Sequence, residues 1–161
     1  MTAADARREL EVDAAVLAIA AGLIHAVAAV GHASEYWGHA AFFALLAVAQ
    51  VAWGVIVYRG AGRRLLATGA AGSAAVALLW LVSRTAGLPL GPDAGAPEAV
   101  GPLDALATLD ELATVLIVVA LLRFRALRPR FVVAAGRVGP VVGMVLAMAS
   151  LVSLTLGVHA H

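Results

Sequence analysis

No cysteine occurs among the 161 residues of the chain. This absence excludes disulfides, thiolate metal sites and cysteine nucleophiles. Charged residues are also scarce, at 13%, compared with about 25% in a typical soluble domain. Hydrophobic residues make up 63% of the chain, and the mean hydropathy is +0.96. These values predict an integral membrane protein, and the formal net charge of +1 gives no indication of a nucleic-acid partner.

Several catalytic signatures are missing as well. The sequence contains no HExxH or GxSxG motif, no phosphate-binding glycine loop and no DxD motif. Each of these patterns places particular side chains where a metalloprotease, a hydrolase or a nucleotide enzyme needs them. Without these motifs the sequence indicates no particular reaction, and it leaves open whether the chain is an enzyme.

Long apolar runs are the dominant feature that is present. A membrane-spanning helix needs about 20 mostly apolar residues, and helices satisfy the backbone polar groups within lipid. The sequence therefore predicts one all-α transmembrane domain over residues 1–161, a bundle of five helices. The predicted spans are Ala14–Gly31, Ala40–Tyr58, Leu65–Val82, Leu106–Leu122 and Val138–Val158.

Arginine provides every basic residue other than histidine, and its placement orients the predicted bundle. Ten of the 11 basic residues precede the first span or lie in the second-to-third and fourth-to-fifth connections. The positive-inside rule makes that side cytoplasmic, so we expect the N-terminus inside and the C-terminus outside, in a multi-pass protein of the plasma membrane. The acidic start, MTAADARRELEVD, favours a retained first helix over a cleaved signal peptide. The ten residues are Arg7, Arg8, Arg59, Arg63, Arg64, Arg123, Arg125, Arg128, Arg130 and Arg137.

All five histidines fall in the predicted outer half of the bundle. Three of them flank or precede the first hairpin, and two are at the end of the chain. A loop rich in glycine and proline, residues 83–103, lies on the same side, and we expect it to pack on the bundle. His25 is two helical turns below His32 and shares its face, while Asp104 and Glu111 share a face of helix four.

Imidazoles and carboxylates are ligands for zinc, copper and iron. Ionisable groups within a membrane also tend to mark functional sites. The sequence therefore predicts an outward-facing transition-metal site, with copper or zinc favoured over iron, for metal handling or metal-dependent redox chemistry. Glu111 could instead hold a ligand imidazole by a hydrogen bond. The candidate ligands are His25, His32, Glu35, His39, Glu111, Asp104, His159 and His161.

Some of these residues also have purely structural interpretations. Ser34 and Glu35 could cap helix two. The stretch from Thr108 to Glu111 matches the capping-box pattern, which would make Glu111 a helix cap. Arg84 could pair with Asp104 or Glu98 and fasten the loop to the bundle.

A family resemblance rests on three segments, HASEYWGHAAFF, WLVSRTAGLPLGP and PEAVGPLD, and on Glu111 in the following helix. They resemble a group of small polytopic membrane proteins of bacteria with high-GC, actinobacterial-type genomes. The resemblance covers roughly residues 20–122 and implies no activity and no catalytic residues. It implies that Trp80, Arg84, the Gly-Leu-Pro loop and the acid of helix four form one unit.

Three other functions compete with the metal site. A haem would use His25 as an axial ligand and a second imidazole at similar depth. A small proton-coupled or metal-coupled transporter would use His25 and Glu111. A structural or accessory subunit of a membrane complex would use its histidines only for hydrogen bonds. The expected partners are the lipid bilayer and either copies of the chain or a larger membrane complex.

Overall fold

The computed structural model describes residues 2–123, which form four α-helices and no strand. The all-α class is therefore confirmed for the described residues. The predicted fifth span, residues 138–158, lies outside them, as do His159 and His161. The helices are α1 (Ala3–His32), α2 (Trp37–Arg59), α3 (Arg63–Thr85) and α4 (Pro102–Arg123).

Helix α1 begins much earlier than the predicted Ala14, because its charged first turns are capped and packed. Thr2 forms a capping box with Asp5: the Thr2 Oγ1 accepts from the Asp5 backbone N at 3.2 Å, and the Thr2 N donates to Asp5 Oδ2 at 2.7 Å. Such a box satisfies two backbone donors that the helix leaves free. Ala6 and Leu10 are buried in this part of the helix, so the polar N-terminal stretch also contributes to the core.

The two capping hypotheses are wrong. Helix α4 begins at Pro102, a residue whose fixed φ angle suits the first helical position. Thr108 is therefore well inside the helix, where its Oγ1 donates to the carbonyl of Asp104 at 2.9 Å, and Glu111 caps nothing. Helix α2 has Tyr36 as its N-cap residue, with no side-chain hydrogen bond to the helix end.

Helix α1 is the centre of the described bundle. It packs along both α2 and α4, while α3 packs on α4 and barely touches α2. Half of the apolar window of α1 is buried (50%), against 17% for the windows of α2 and α3. Two glycines bring α1 and α2 close: a Cβ on Gly22 would lie 3.0 Å from the Ala47 carbonyl oxygen, and one on Gly54 would lie 2.8 Å from that of Ala15.

The two ends of the bundle differ in their side chains. At the arginine end, where α1 begins and α4 ends, Arg7 Nη1 donates to the Leu121 carbonyl at 3.3 Å and Arg63 Nη2 donates to that of Leu122 at 3.0 Å. Cationic donors at these carbonyls also offset the negative end of the helix dipole. The opposite end, formed by the α1–α2 turn and the loop of residues 86–101, is called the histidine end below.

All four described helices are long and apolar enough to cross a membrane. Their outward surfaces fit that environment, because each helix exposes a large aliphatic side chain: Val30 is 65% exposed, Leu45 72%, Leu78 61% and Leu116 70%. Exposed apolar residues on every helix would be unusual in water but are expected where lipid covers the bundle. The described chain is thus a helical bundle compatible with a membrane.

Candidate functional site

The histidine end brings together His32, Glu35 and His39. The His32 Nδ1 lies 2.8 Å from Glu35 Oε2, and the ring centroids of His32 and His39 are 5.6 Å apart with nearly perpendicular planes. The Glu35 side chain is 66% exposed and that of His32 is 37% exposed. This trio, called the outer cluster below, therefore joins an exposed carboxylate and a partly exposed imidazole to a second imidazole.

The loop of residues 86–101 is tied to the same end, as predicted. Arg84 forms ion pairs with both Asp104 and Glu98, so the predicted pairing is confirmed for both acids. The Trp80 Nε1 also donates to Asp104 Oδ2 at 2.9 Å. Asp104 therefore binds both Arg84 and Trp80. The acid of α4 that forms one unit with these two residues is thus Asp104 and not Glu111.

His39 lies under the loop. A Cβ on Gly91 would lie 3.0 Å from the His39 Cε1, and Gly91 has a φ of 105°, a backbone conformation that favours glycine. The His39 Nε2 is buried without a hydrogen-bond partner among the described residues. The loop thus covers one face of the outer cluster.

A second polar group lies deeper, between α1, α2 and α4. The His25 Nδ1 and Gln50 Oε1 are 2.7 Å apart, and the Gln50 Nε2 donates to Glu111 Oε1. His25 is 5% exposed and Glu111 is 1% exposed. Since an amide oxygen only accepts, His25 carries its proton on Nδ1 when neutral, which leaves the Nε2 lone pair as an acceptor. We call these three side chains the buried chain.

Further buried polar groups line α1 and α4. Asp13 is 3% exposed, Asp110 2% and Thr114 1%. One oxygen of each, Asp13 Oδ2, Asp110 Oδ2 and Thr114 Oγ1, has no partner among the described residues. Asp13 comes after Arg7 in α1, and Thr114 comes before Leu121 in α4. Measured along the helices from the Arg7–Leu121 contact, they lie about 9 and about 10.5 Å deeper in the bundle, and so at similar depth.

The importance of Gln50 and Asp13 was only partly visible in the sequence. Gln50 is the single amide within a predicted span, on about the same helix face as His39, and that isolation is a signal of an internal partner. The sequence-based prediction leaves Asp13 outside the first span, because Asp13 precedes the predicted start of that span by one position. The apolar residues Ala6 and Leu10 are a signal that the helix begins earlier. A helix extended over them contains Asp13 and buries it.

A cavity of about 170 Å³ opens between α2 and α3, where these helices diverge. Gln50 contributes to its wall, so the cavity reaches the buried chain. Most of the remaining lining is apolar or small. The lining residues are Ala18, Leu46, Ala49, Gln50, Trp53, Thr68, Gly69, Gly72 and Ser73.

The predicted ligands are therefore divided between separate places. His32, Glu35 and His39 share the outer cluster, His25 and Glu111 belong to the buried chain, and Asp104 is paired with Arg84. Within residues 2–123 no group of three or more His, Cys, Asp or Glu side chains is arranged to hold a metal ion. The physical reason is that His25 lies two helical turns below His32 and is hydrogen-bonded to Gln50, while Asp104 is paired with Arg84.

Comparison of the chain with protein-family models, curated proteins and solved structures finds no match. The resemblance to small polytopic bacterial membrane proteins consequently stays a prediction.

Proposed function

We propose that the protein is a small proton-coupled membrane transporter in which His25 and Glu111 take up and release protons. The observation that carries this proposal is the buried chain, in which Gln50 links an imidazole and a carboxyl that are both almost fully buried. Ionisable residues are costly in a membrane interior, and chains of Asp, Glu and His there are characteristic of proton relays in pumps and transporters.

Gln50 has a positioning role in this proposal. An amide cannot readily pass a proton along, but it holds His25 and Glu111 in defined orientations by accepting from one and donating to the other. His25 then presents its Nε2 lone pair as the atom that gains a proton, while Glu111 gains or loses one at its carboxyl. Asp13 of α1 and Asp110 of α4 supply further buried protonatable groups, of which Asp13 lies towards the arginine end.

The proposed orientation places the arginine end in the cytoplasm and the histidine end outside, in the plasma membrane. Five spans, with the fifth over residues 138–158, would then put the N-terminus inside and the C-terminus outside. The positive-inside rule supports this arrangement. Because one chain is small for a transporter, we propose that it works as a homo-oligomer or within a larger membrane complex.

Proton flux into liposomes tests the proposal. The full chain is reconstituted with a pH-sensitive dye inside, and a potassium diffusion potential drives protons inward. We expect flux in the wild type and its loss to the level of empty liposomes in Glu111→Gln, which keeps the size of the side chain but removes its proton. Glu9→Gln is the matched control, since Glu9 is exposed and should retain full flux.

Equal flux in Glu111→Gln and Glu9→Gln would contradict the role of Glu111. If the wild type gives no flux beyond empty liposomes, proton transport by the chain alone is refuted. Co-purification with a larger complex would then favour the accessory-subunit alternative, with histidines that only form hydrogen bonds.

The outer cluster favours a second candidate, an outward-facing copper or zinc site. Its supporting observation is that two imidazoles and one carboxylate lie near one another at the histidine end, residue types suited to both metals. Their side chains would have to reorient to bind one ion, because within residues 2–123 they are not arranged to hold a metal. Elemental analysis of detergent-purified protein, with a visible spectrum of the same sample, tests it and would also detect the haem alternative. We expect bound metal that is lost in the double variant His32→Ala/His39→Ala, whereas protein that stays metal-free after reconstitution with copper or zinc contradicts the site.

A further inference from the structure

Phe43 of α2 lies between the outer cluster and the buried chain. Its ring centroid is 5.7 Å from that of His25 and 5.3 Å from that of His32, with interplanar angles of 16° and 13°. Seven residues of helix separate the two histidines by about 10.5 Å, and each centroid distance is about half of that rise. The three rings are therefore arranged in sequence along the bundle, with the phenyl ring in the middle.

This position determines what can pass between the two polar groups. A phenyl ring offers no hydrogen-bonding atom, so neither water nor a proton relay can pass through it. Apolar constrictions close membrane pathways to water and ions because polar species lose their solvation there. On this face of α1, a proton travelling between His32 and His25 has to pass around the Phe43 ring.

We propose that Phe43 is an aromatic barrier that shields His25 from the histidine end, and that displacement of its ring opens the buried chain to that side. The ring is only half-buried, so the protein does not enclose it on every side. The part of this proposal that concerns proton flow rests on the proposed transport function. The shielding of His25 does not, and it can be measured separately.

The first test measures the access of a small reagent to His25. The full chain in lipid nanodiscs is treated with diethylpyrocarbonate, which modifies neutral imidazoles, and modification of each histidine is followed by peptide mass spectrometry. In the wild type we expect His32 to react quickly and His25 slowly. Phe43→Ala should raise the His25 rate to that of His32, whereas Phe43→Leu, which keeps an apolar side chain there, should preserve most of the protection.

Phe42→Ala is the matched control, because it removes the same side chain one position away, where Phe42 is 40% exposed. It should leave His25 protected. Thermal unfolding of each variant shows whether a fast His25 reaction reflects local access or loss of the fold. Reaction of His25 as fast as His32 in the wild type, or continued protection in a folded Phe43→Ala, would overturn the barrier.

Proton flux separates this proposal from the transport function. With both correct, Phe43→Ala raises flux above the wild type, and adding Glu111→Gln abolishes it. If Phe43→Ala exposes His25 but no variant conducts protons, the barrier stands and the transport function fails. If the wild type conducts protons through Glu111 while Phe43→Ala changes neither access nor flux, transport stands and the barrier is refuted.

Discussion

At the scale of single residues, Gln50 is the side chain on which the buried chain depends. It is the shared partner of His25 and Glu111, and it reaches both because Gly22 brings α1 close to α2 at that level. Removing it takes away the hydrogen-bond partner of the His25 Nδ1 and one donor to the Glu111 carboxyl. The stability of the helix packing and the proposed proton chemistry are thus linked through one amide.

Gln50→Leu is expected to destabilise the protein for this reason. It leaves the buried Nδ1 of His25 without its partner and removes one donor from Glu111, and an unpaired buried group costs about 1–3 kcal/mol. Thermal unfolding of detergent-solubilised protein, followed by circular dichroism, measures the change. Val48→Ala, at a 70% exposed position of the same helix, is the control. Equal melting temperatures for the two variants would show that the hydrogen bonds contribute little.

At the scale of elements, glycine placement explains why α1 and α2 lie so close. A Cβ at Gly54 would lie 2.7 Å from Ile19 Cγ1 and 2.8 Å from the Ala15 carbonyl oxygen, whereas one at Gly72 would meet nothing within 4 Å. Small residues at helix contacts in membranes permit such close approach. The same substitution should therefore have opposite effects at the two positions.

Gly54→Ala is expected to lower stability by about 1–3 kcal/mol, the typical cost of overpacking. The backbone oxygen of Ala15 cannot move aside without displacing the helix. Gly72→Ala should be neutral or stabilise by up to about 1 kcal/mol through helix propensity. Thermal melting of both variants decides the matter, and a Gly54→Ala that melts like Gly72→Ala would refute the close contact.

The connection between α3 and α4 depends on Arg84 in a similar way. Arg84 holds Glu98 of the loop and Asp104 of α4 together, so Arg84→Ala should release the loop. Cleavage by a glutamyl endopeptidase after Glu98 is expected to become faster than in the wild type. Arg64→Ala, an exposed change at the arginine end, should leave the cleavage rate unaltered, and equal rates in both variants would argue against the fastening role.

At the scale of the whole molecule, the uneven distribution of arginine and histidine between the two ends gives the bundle a direction. The α1–α2 turn and the α2–α3 turn belong to opposite ends, and both contain small exposed residues, Ser34 and Gly62. If the arginine end is cytoplasmic, these two positions are on opposite sides of the membrane.

Because the chain has no cysteine, single cysteines can report this directly. We expect Ser34→Cys to react with a membrane-impermeant maleimide in intact cells, and Gly62→Cys to react only after the cells are permeabilised. A Cβ at Gly62 meets no atom within 4 Å, so that substitution should not disturb the turn. The reverse labelling pattern would show that the orientation is inverted.

The sequence by itself determined the class of the molecule and the approximate helices, because apolar runs of sufficient length can be accommodated only in a few ways. It also indicated the pairing of Arg84 with Asp104 or Glu98, since Arg84 is the one arginine outside the ten that orient the bundle. Helix ends were harder to predict from the sequence. Helix α1 extends to Ala3 because of a capping box and packing contacts that hydropathy alone does not reveal.

Only the tertiary structure decided how the ionisable residues are grouped. His25 and His32 share a helix face, and their spacing suggested one site. The packing of α2 on α1 instead inserts Phe43 between them and brings Gln50 to His25, while α4 places Glu111 at the far side of that amide. Such contacts join residues far apart along the chain, and helical spacing within a single segment carries no information about them.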